Sequence, residues 1–492
     1  MKIIIIGAGP GGYETALLAA KRGVETILVE AGPVGGTCLN EGCIPTKSFC
    51  KNAQYVDELQ HSEIYGVGKL NFKLDFNVVK ERKDAVVQQL KTGVETLLGH
   101  KLITLVRGRA MFKDQHTVTV IPNPPLVAHD DPSATQDVTG QIPVAPLEFT
   151  ADYIIVATGS ASATLPIPGA DLSGILTSKE ILDIDHVPPR LCVIGGGVIG
   201  LEFASIFRSF GSEVTVLEYC KDILPRFDTD LAKRLKQSLS KRGIEINTQA
   251  QVTGIELISS EHAANEEYCV TFTRKGKEEK VLADKVLMAV GRRAALSSLN
   301  FGDIGIELDP KGVKVNEFMQ TNIPHIYAIG DVNGLMMLAH AATFQGIVAL
   351  DHMMGVENHI DLSVMPAAVF TSPEAASVGL TEDECKEKGI PVKCLKSFFR
   401  ANGKAVSMGE TDGFCKLIVS ASSAPESSDL QGVEFTYPAG RILGCHLYGA
   451  HAADLIHEAC ALIGCKAGID DLRDIIHAHP TLSEVLQTAA HS

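Results

Sequence analysis

The hydrophobic pattern opens with a short apolar strand, Lys2–Ile6, broken at once by Gly7-x-Gly9-x-x-Gly12. A predicted helix follows over Tyr13–Arg22, then a second strand over Glu25–Val29 that ends in Glu30. The same order returns near Arg190: strand Leu191–Ile194, turn Gly195-x-Gly197-x-x-Gly200, helix Leu201–Phe210, strand Glu213–Leu217, then Glu218. Two such βαβ units predict two dinucleotide sites. Asp152–Gly159 and Asp284–Gly291 are apolar strands ending in glycine, and each closes one half of the chain.

Beyond residue 351 the pattern changes. Strand-like runs (Cys415–Val419, Arg441–Leu447) precede helical ones (Ala452–Ile463, Asp471–Ile476), without a glycine-rich nucleotide turn. The expected fold class is α/β: two Rossmann-like dinucleotide-binding domains and a C-terminal α+β domain. The expected domains are 1–150 with 285–350, then 151–284, then 351–492. Ile121–Glu148, rich in proline, and Ser420–Gln431, rich in serine and acids, read as surface excursions.

Composition narrows the function classes. With 492 residues, 45% hydrophobic and 21% charged, the chain is globular and long enough for several domains. The net charge of −15 argues against nucleic acid and anionic membranes as partners. Neither the four-isoleucine run at the start nor Val332–Leu350 reads as a signal or a span. A soluble, cytoplasmic protein is expected. Twelve cysteines are too sparse for a disulfide scaffold, and their spacings match no usual zinc pattern, so no metal site is expected.

The glycine turns have a mechanical reading. Gly7 permits the tight turn, Gly9 admits a pyrophosphate, and Gly12 lets helix and strand pack closely. Glu30 stands where a carboxylate accepts from a ribose hydroxyl. In the second turn Gly195, Gly197 and Gly200 repeat these roles. Glu218 there favours a free 2′-hydroxyl, hence NAD over NADP, with Arg226 the nearby cation.

The segment Gly35–Lys47, GGTCLNEGCIPTK, places Cys38 and Cys43 around a four-residue loop that a disulfide can bridge. Pro45 suits the first turn of a helix, so Cys43 is expected near a helix N-terminus, where a thiolate is stabilised. Lys47 adds positive charge about one turn on. Cys460 and Cys465 share the spacing but lack the activating neighbours, and are expected in the core. In His477–Glu484, HAHPTLSE, a turn at Pro480 could bring Glu484 back to an imidazole, making it a general base. By composition either His479 or His477 could serve. Gly330-Asp331 ends an apolar strand, where the acid either meets a ligand hydroxyl or caps a helix.

Taken together these motifs resemble the flavin-dependent pyridine nucleotide–disulfide oxidoreductases over nearly the whole chain, the two excursions apart. Within that family the chain is most similar to the members that oxidise dihydrolipoamide. The resemblance implies FAD along Gly7, Gly9, Gly12 and Glu30, with Ala110, Thr158, Gly159 and Ser160 lining its site. It implies Asp331 on the ribityl chain, Met337, Leu338, Ala339 and His340 near the flavin, and Lys47 reaching the flavin while paired to Glu202. NAD would meet Gly195, Gly197, Gly200, Glu218, Val252 and Gly291. It implies a redox pair Cys38–Cys43, a homodimer formed by the C-terminal domain, and His479 with Glu484 completing the partner subunit's site. The implied substrate is dihydrolipoamide on a lipoyl domain of a 2-oxo acid dehydrogenase complex, or on a glycine cleavage carrier protein. The alternatives are another disulfide reductase of the family or a non-enzymatic redox-sensing flavoprotein. Two positions depart from the usual pattern. Ala341 stands where a lysine is usual after Leu338-Ala-His, and Glu41 adds a negative charge between the cysteines.

Overall fold

The computed structural model describes residues 1–123, 145–258, 267–297, 299–421, 424–427 and 434–492. The chain falls into two compact units. One comprises Met1–Pro45, Glu81–Ala163 and Arg292–Leu362. The other comprises Thr46–Lys80, Thr164–Gly291 and Ser363–Ser492.

The first unit is built on a sheet in the order Ile326–Ala328, Tyr153–Val156, Lys2–Ile6, Glu25–Glu30, Ile103–Phe112, Thr117–Pro122, Leu147–Thr150. The first five strands run parallel and the last two pair antiparallel. Ile3 to Ile6 are buried because the run is covered on both faces, which explains the absence of polar alternation. The helix Pro10–Lys21 packs beside Ala339–Met353. Ala342 is small where they meet: a Cβ on Gly11 would lie 3.0 Å from its own. Most of the excursion expected at Ile121–Glu148 lies outside the described residues, although the strands on either side of it pair Val120 with Leu147.

The second unit holds a parallel sheet in the order Ile244–Thr248, Glu213–Glu218, Arg190–Ile194, Lys285–Met288, Ile175–Leu176. An antiparallel sheet of Ala250–Ile258, Glu267–Arg274 and Lys277–Ala283 accompanies it. Its C-terminal part is an antiparallel sheet in the order Ala367–Val369, Glu374–Gly379, Ile442–Gly449, Phe414–Ser420, Val392–Phe398. The helices Ala452–Gly464 and Glu484–Ala490 pack on it. The expected α/β class with an α+β C-terminal part is what the chain adopts. The excursion expected at Ser420–Gln431 falls partly on residues outside those described.

Two local expectations are corrected. The helix expected over Asp471–Ile476 runs instead over Ile469–Asp474, because the Asp471 carboxylate accepts the Gly468 N–H at 2.7 Å and starts it earlier. Ile476 is left 95% exposed. Of the cysteine pair expected in the core, Cys460 packs against the C-terminal apolar cluster, but Cys465 is exposed. It follows the last turn of the helix Ala452–Gly464, past the face that packs.

Candidate active site

The first glycine turn sits at the carboxyl edge of its parallel sheet, the edge where ligands bind in such sheets. Gly7 has φ +107° and donates its N–H to Val29 O at 2.8 Å. A Cβ on Gly12 would collide with the Gly7 carbonyl oxygen, so helix and strand touch through bare backbone. Glu30 folds back on the turn, its oxygens accepting from Ala8 N–H and Gly32 N–H at 2.6 Å each. Opposite Gly9 stands Gly36, φ +55°, where a Cβ would lie 2.7 Å from Gly9 Cα. This close-packed cradle with a carboxylate at its rim fits a dinucleotide pyrophosphate and its ribose.

Thr158, Gly159 and Ser160 follow the strand Tyr153–Val156, and Asp331 follows the neighbouring strand Ile326–Ala328. The Asp331 carboxylate caps no helix. It accepts from Ser160 Oγ at 2.5 Å and stands 3.9 Å from Arg292 Nε. Met337 and Leu338 lead into the helix Ala339–Met353, with His340 exposed in its first turn. Ala110 is buried in an apolar core with Val118 and Val120.

The second turn repeats the first. Gly195, φ +112°, donates to Leu217 O at 2.8 Å. Glu218 accepts from Gly196 N–H at 2.5 Å and Cys220 N–H at 2.6 Å. Gly291 follows the adjacent strand Lys285–Met288. Gly197 has no atom within 4 Å of a built Cβ, so the turn is open at that residue, although the Leu224 N–H donates to Gly196 O at 3.0 Å. The Val252 side chain packs in an apolar core with Cys192 and Ile194.

Cys38 lies in the short helix Gly36–Asn40, and Cys43 is the first residue of the helix Cys43–Gln60. Cys43 therefore has the N-terminal position expected for a stabilised thiolate. Between them, the Glu41 N–H closes on Thr37 O at 2.9 Å. Further along that helix, Lys47 Nζ meets both oxygens of Glu202, at 3.0 and 2.9 Å.

His479 and His477 differ sharply. His477 has a buried side chain, with Nε2 2.8 Å from Glu458 and Nδ1 3.2 Å from Ile475 O. His479 is 79% exposed, and its Nδ1 lies 2.9 Å from Glu484 Oε1. The Thr481 N–H donates to the other Glu484 oxygen at 2.8 Å. That N–H, then the His479 ring, holds the Glu484 carboxyl below its ordinary range. Glu484 so fixes one ring nitrogen and leaves Nε2 open to accept a proton.

Two family models cover this chain: pyridine nucleotide-disulphide oxidoreductase over residues 1–346, and the dimerisation domain of the same family over 365–425 and 433–490. The chain belongs to the pyridine nucleotide-disulphide oxidoreductase family. It is similar to a dihydrolipoyl dehydrogenase of Chlamydia muridarum, 36% identical over 99% of this chain and 95% of the relative. It is similar also to one of Bacillus subtilis, 34% identical over 99% and 98%. Among solved structures it resembles the HOCl-induced flavoprotein disulfide reductase RclA from Escherichia coli, with TM-score 0.80, 27% identity and 100% and 99% coverage. LpdA from Mycobacterium tuberculosis matches with TM-score 0.84 and 25% identity over 100% and 99%. The chain is therefore a flavoprotein disulfide oxidoreductase with a C-terminal dimerisation domain.

Two members of this oxidoreductase's first site were not found from the sequence. Arg292 donates from Nε to Ser160 Oγ at 2.7 Å and from Nη2 to Ser160 O at 2.8 Å. Gln345, buried, accepts from Gly330 N–H at 2.7 Å and Asn333 Nδ2 at 2.9 Å, bracing the turn that carries Asp331. Among the described residues no metal-binding cluster exists, and no helix is long and apolar enough to cross a membrane.

Proposed function

We propose that the protein oxidises dihydrolipoamide to lipoamide and reduces NAD to NADH, as a homodimer serving lipoyl domains in the cytoplasm. The observation that carries this reading is His479, an exposed imidazole with one nitrogen held by Glu484 and the other open. Such a base suits a thiol presented from outside on a swinging arm. The similarity to dihydrolipoyl dehydrogenases across nearly the full length supports the substrate.

In this reading His479, contributed across the dimer, takes the proton of one substrate thiol. The resulting thiolate attacks Cys38 of a Cys38–Cys43 disulfide, and Cys43 leaves as a thiolate at its helix N-terminus. The second substrate thiol, deprotonated in turn, attacks the mixed disulfide, so lipoamide departs and both protein cysteines are reduced. FAD, when bound along Gly7–Gly12, Glu30 and Asp331, supplies the two-electron link between the dithiol and the nicotinamide. Glu218 would hold the NAD ribose and repel a 2′-phosphate. With FAD bound, Lys47, held by Glu202, would supply it with a positive charge.

Steady-state oxidation of dihydrolipoamide, with NAD and NADP side by side, tests this reading. NAD-linked turnover is expected, and His479→Gln should lower kcat by about 10²–10⁴-fold, the worth of a general base. NADP-only activity, or turnover with other disulfides and none with dihydrolipoamide, would move the substrate elsewhere in the family.

A further inference from the structure

The Lys47–Glu202 pair has a third partner. The Phe370 N–H donates to Glu202 Oε1 at 2.9 Å, the oxygen that also meets Lys47. Its ring lies under the Lys47 ammonium, 4.4 Å from Nζ to the ring centroid. The main chain at this point is tied to two helices. Cys50 Sγ donates to Phe370 O at 3.5 Å, and Ser372 N–H donates to Ser205 Oγ at 3.1 Å. One residue thus binds the acid through its backbone and the base through its ring.

The need for this follows from burial. The Glu202 side chain is 4% exposed and that of Lys47 33%. A carboxylate so dry must have its lone pairs satisfied, and Lys47 with the Phe370 N–H does this. The Lys47 side chain is only partly buried, and an aromatic face is a neutral surface that attracts a cation. Cys50 fits the same picture. Burial, and then the Glu202 charge, push its thiol up to about 12, so it stays protonated and serves as a donor.

We propose that Phe370 is a positioning residue, its ring holding the Lys47 ammonium on Glu202 and so fixing the charge that Lys47 would offer a bound flavin. The proposal deepens the functional reading above and rests on its placement of Lys47. Leucine or methionine at 370 keeps the backbone N–H and removes the aromatic face; tyrosine keeps both.

The test uses purified Phe370→Leu, Phe370→Met and Phe370→Tyr proteins. Trace acetylation with acetic anhydride is followed by peptide mass spectrometry. Lys51, on the same helix, is the internal reference. Labelling of Lys47 relative to Lys51 should rise about fivefold in the leucine and methionine variants, the scale of a partly desolvated cation–π contact, and should stay at the wild-type level in tyrosine. Turnover of dihydrolipoamide should fall by a similar factor in kcat with KM nearly unchanged. Combined with Glu202→Gln, Phe370→Leu should add almost nothing, since both act on one pair. Unchanged Lys47 labelling in both aliphatic variants, or losses that multiply with Glu202→Gln, overturns the proposal. If wild type fails to oxidise dihydrolipoamide while labelling follows the expected order, the substrate reading falls and the positioning role stands.

Discussion

At the first glycine turn Gly7 donates to Val29, and Glu30 gathers the N–H groups of Ala8 and Gly32. At the second, Gly195 donates to Leu217, and Glu218 gathers those of Gly196 and Cys220. The local frames are the same, atom for atom, although the surrounding sequences differ. What stands opposite is not the same. The first turn faces Gly36, in the segment that leads to Cys38, whereas the second faces open space at Gly197. A shared frame with unequal enclosure suits two dinucleotides with different residence: one kept in place, the other exchanged at every turnover.

The largest expected effect comes from filling the helix–strand contact in each turn. A Cβ on Gly12 or Gly200 would collide with the carbonyl oxygen of Gly7 or Gly195. Backbone cannot yield as a side chain can, so the cost is about 3 kcal/mol in each case. Gly12→Ala should emerge without its yellow chromophore and melt early. Gly200→Ala should keep the chromophore, still be bleached by dihydrolipoamide, and fail to reduce NAD. Absorbance spectra and melting curves decide this, and equal loss of flavin from both would erase the distinction between the sites.

A smaller effect isolates the wall itself. Gly36→Ala would place a Cβ 2.7 Å from Gly9 Cα, at a φ of +55° that alanine adopts poorly. Gly197→Ala meets nothing and has an ordinary φ of −80°. Gly36→Ala should lose flavin on dilution. Gly197→Ala should melt within about 1 kcal/mol of wild type, the usual scale for a glycine-to-alanine change at a helix start. Flavin retention after gel filtration distinguishes them.

Much of this frame is legible in the sequence because it is local. A glycine at a strand end, another five residues on, and an acid 18 residues later encode one loop and its neighbouring strand. The position of Cys43 at a helix start was legible for the same reason: Pro45 marks the first turn. Long-range partners were not. Arg292 reaches Ser160 across 132 positions, and no spacing rule connects them. Composition left His477 and His479 equal, and their environments part only because the helix Ala452–Gly464 brings Glu458 against His477. Phe370 carries no motif at all; its partners come from two helices far away in sequence.

The smallest effect compares the two carboxylates. Each accepts two backbone N–H groups, and Glu218 is buried while Glu30 is half-buried. Replacing a carboxylate by glutamine keeps one acceptor oxygen and turns the other into a donor facing an N–H, which costs about 1–3 kcal/mol for a charge-assisted bond. In Glu218→Gln the loss should fall on NAD, with kcat/KM lower by about tenfold toward the lower end of that range. The same change removes the charge that repels a 2′-phosphate, so the ratio of NAD to NADP turnover should shrink further than NAD turnover itself. In Glu30→Gln the enclosing wall remains, so flavin should stay bound at ordinary protein concentration and dissociate only on dilution, with the NAD to NADP ratio untouched. A shift of nucleotide preference in Glu30→Gln would show that the two turns had been assigned the wrong way round.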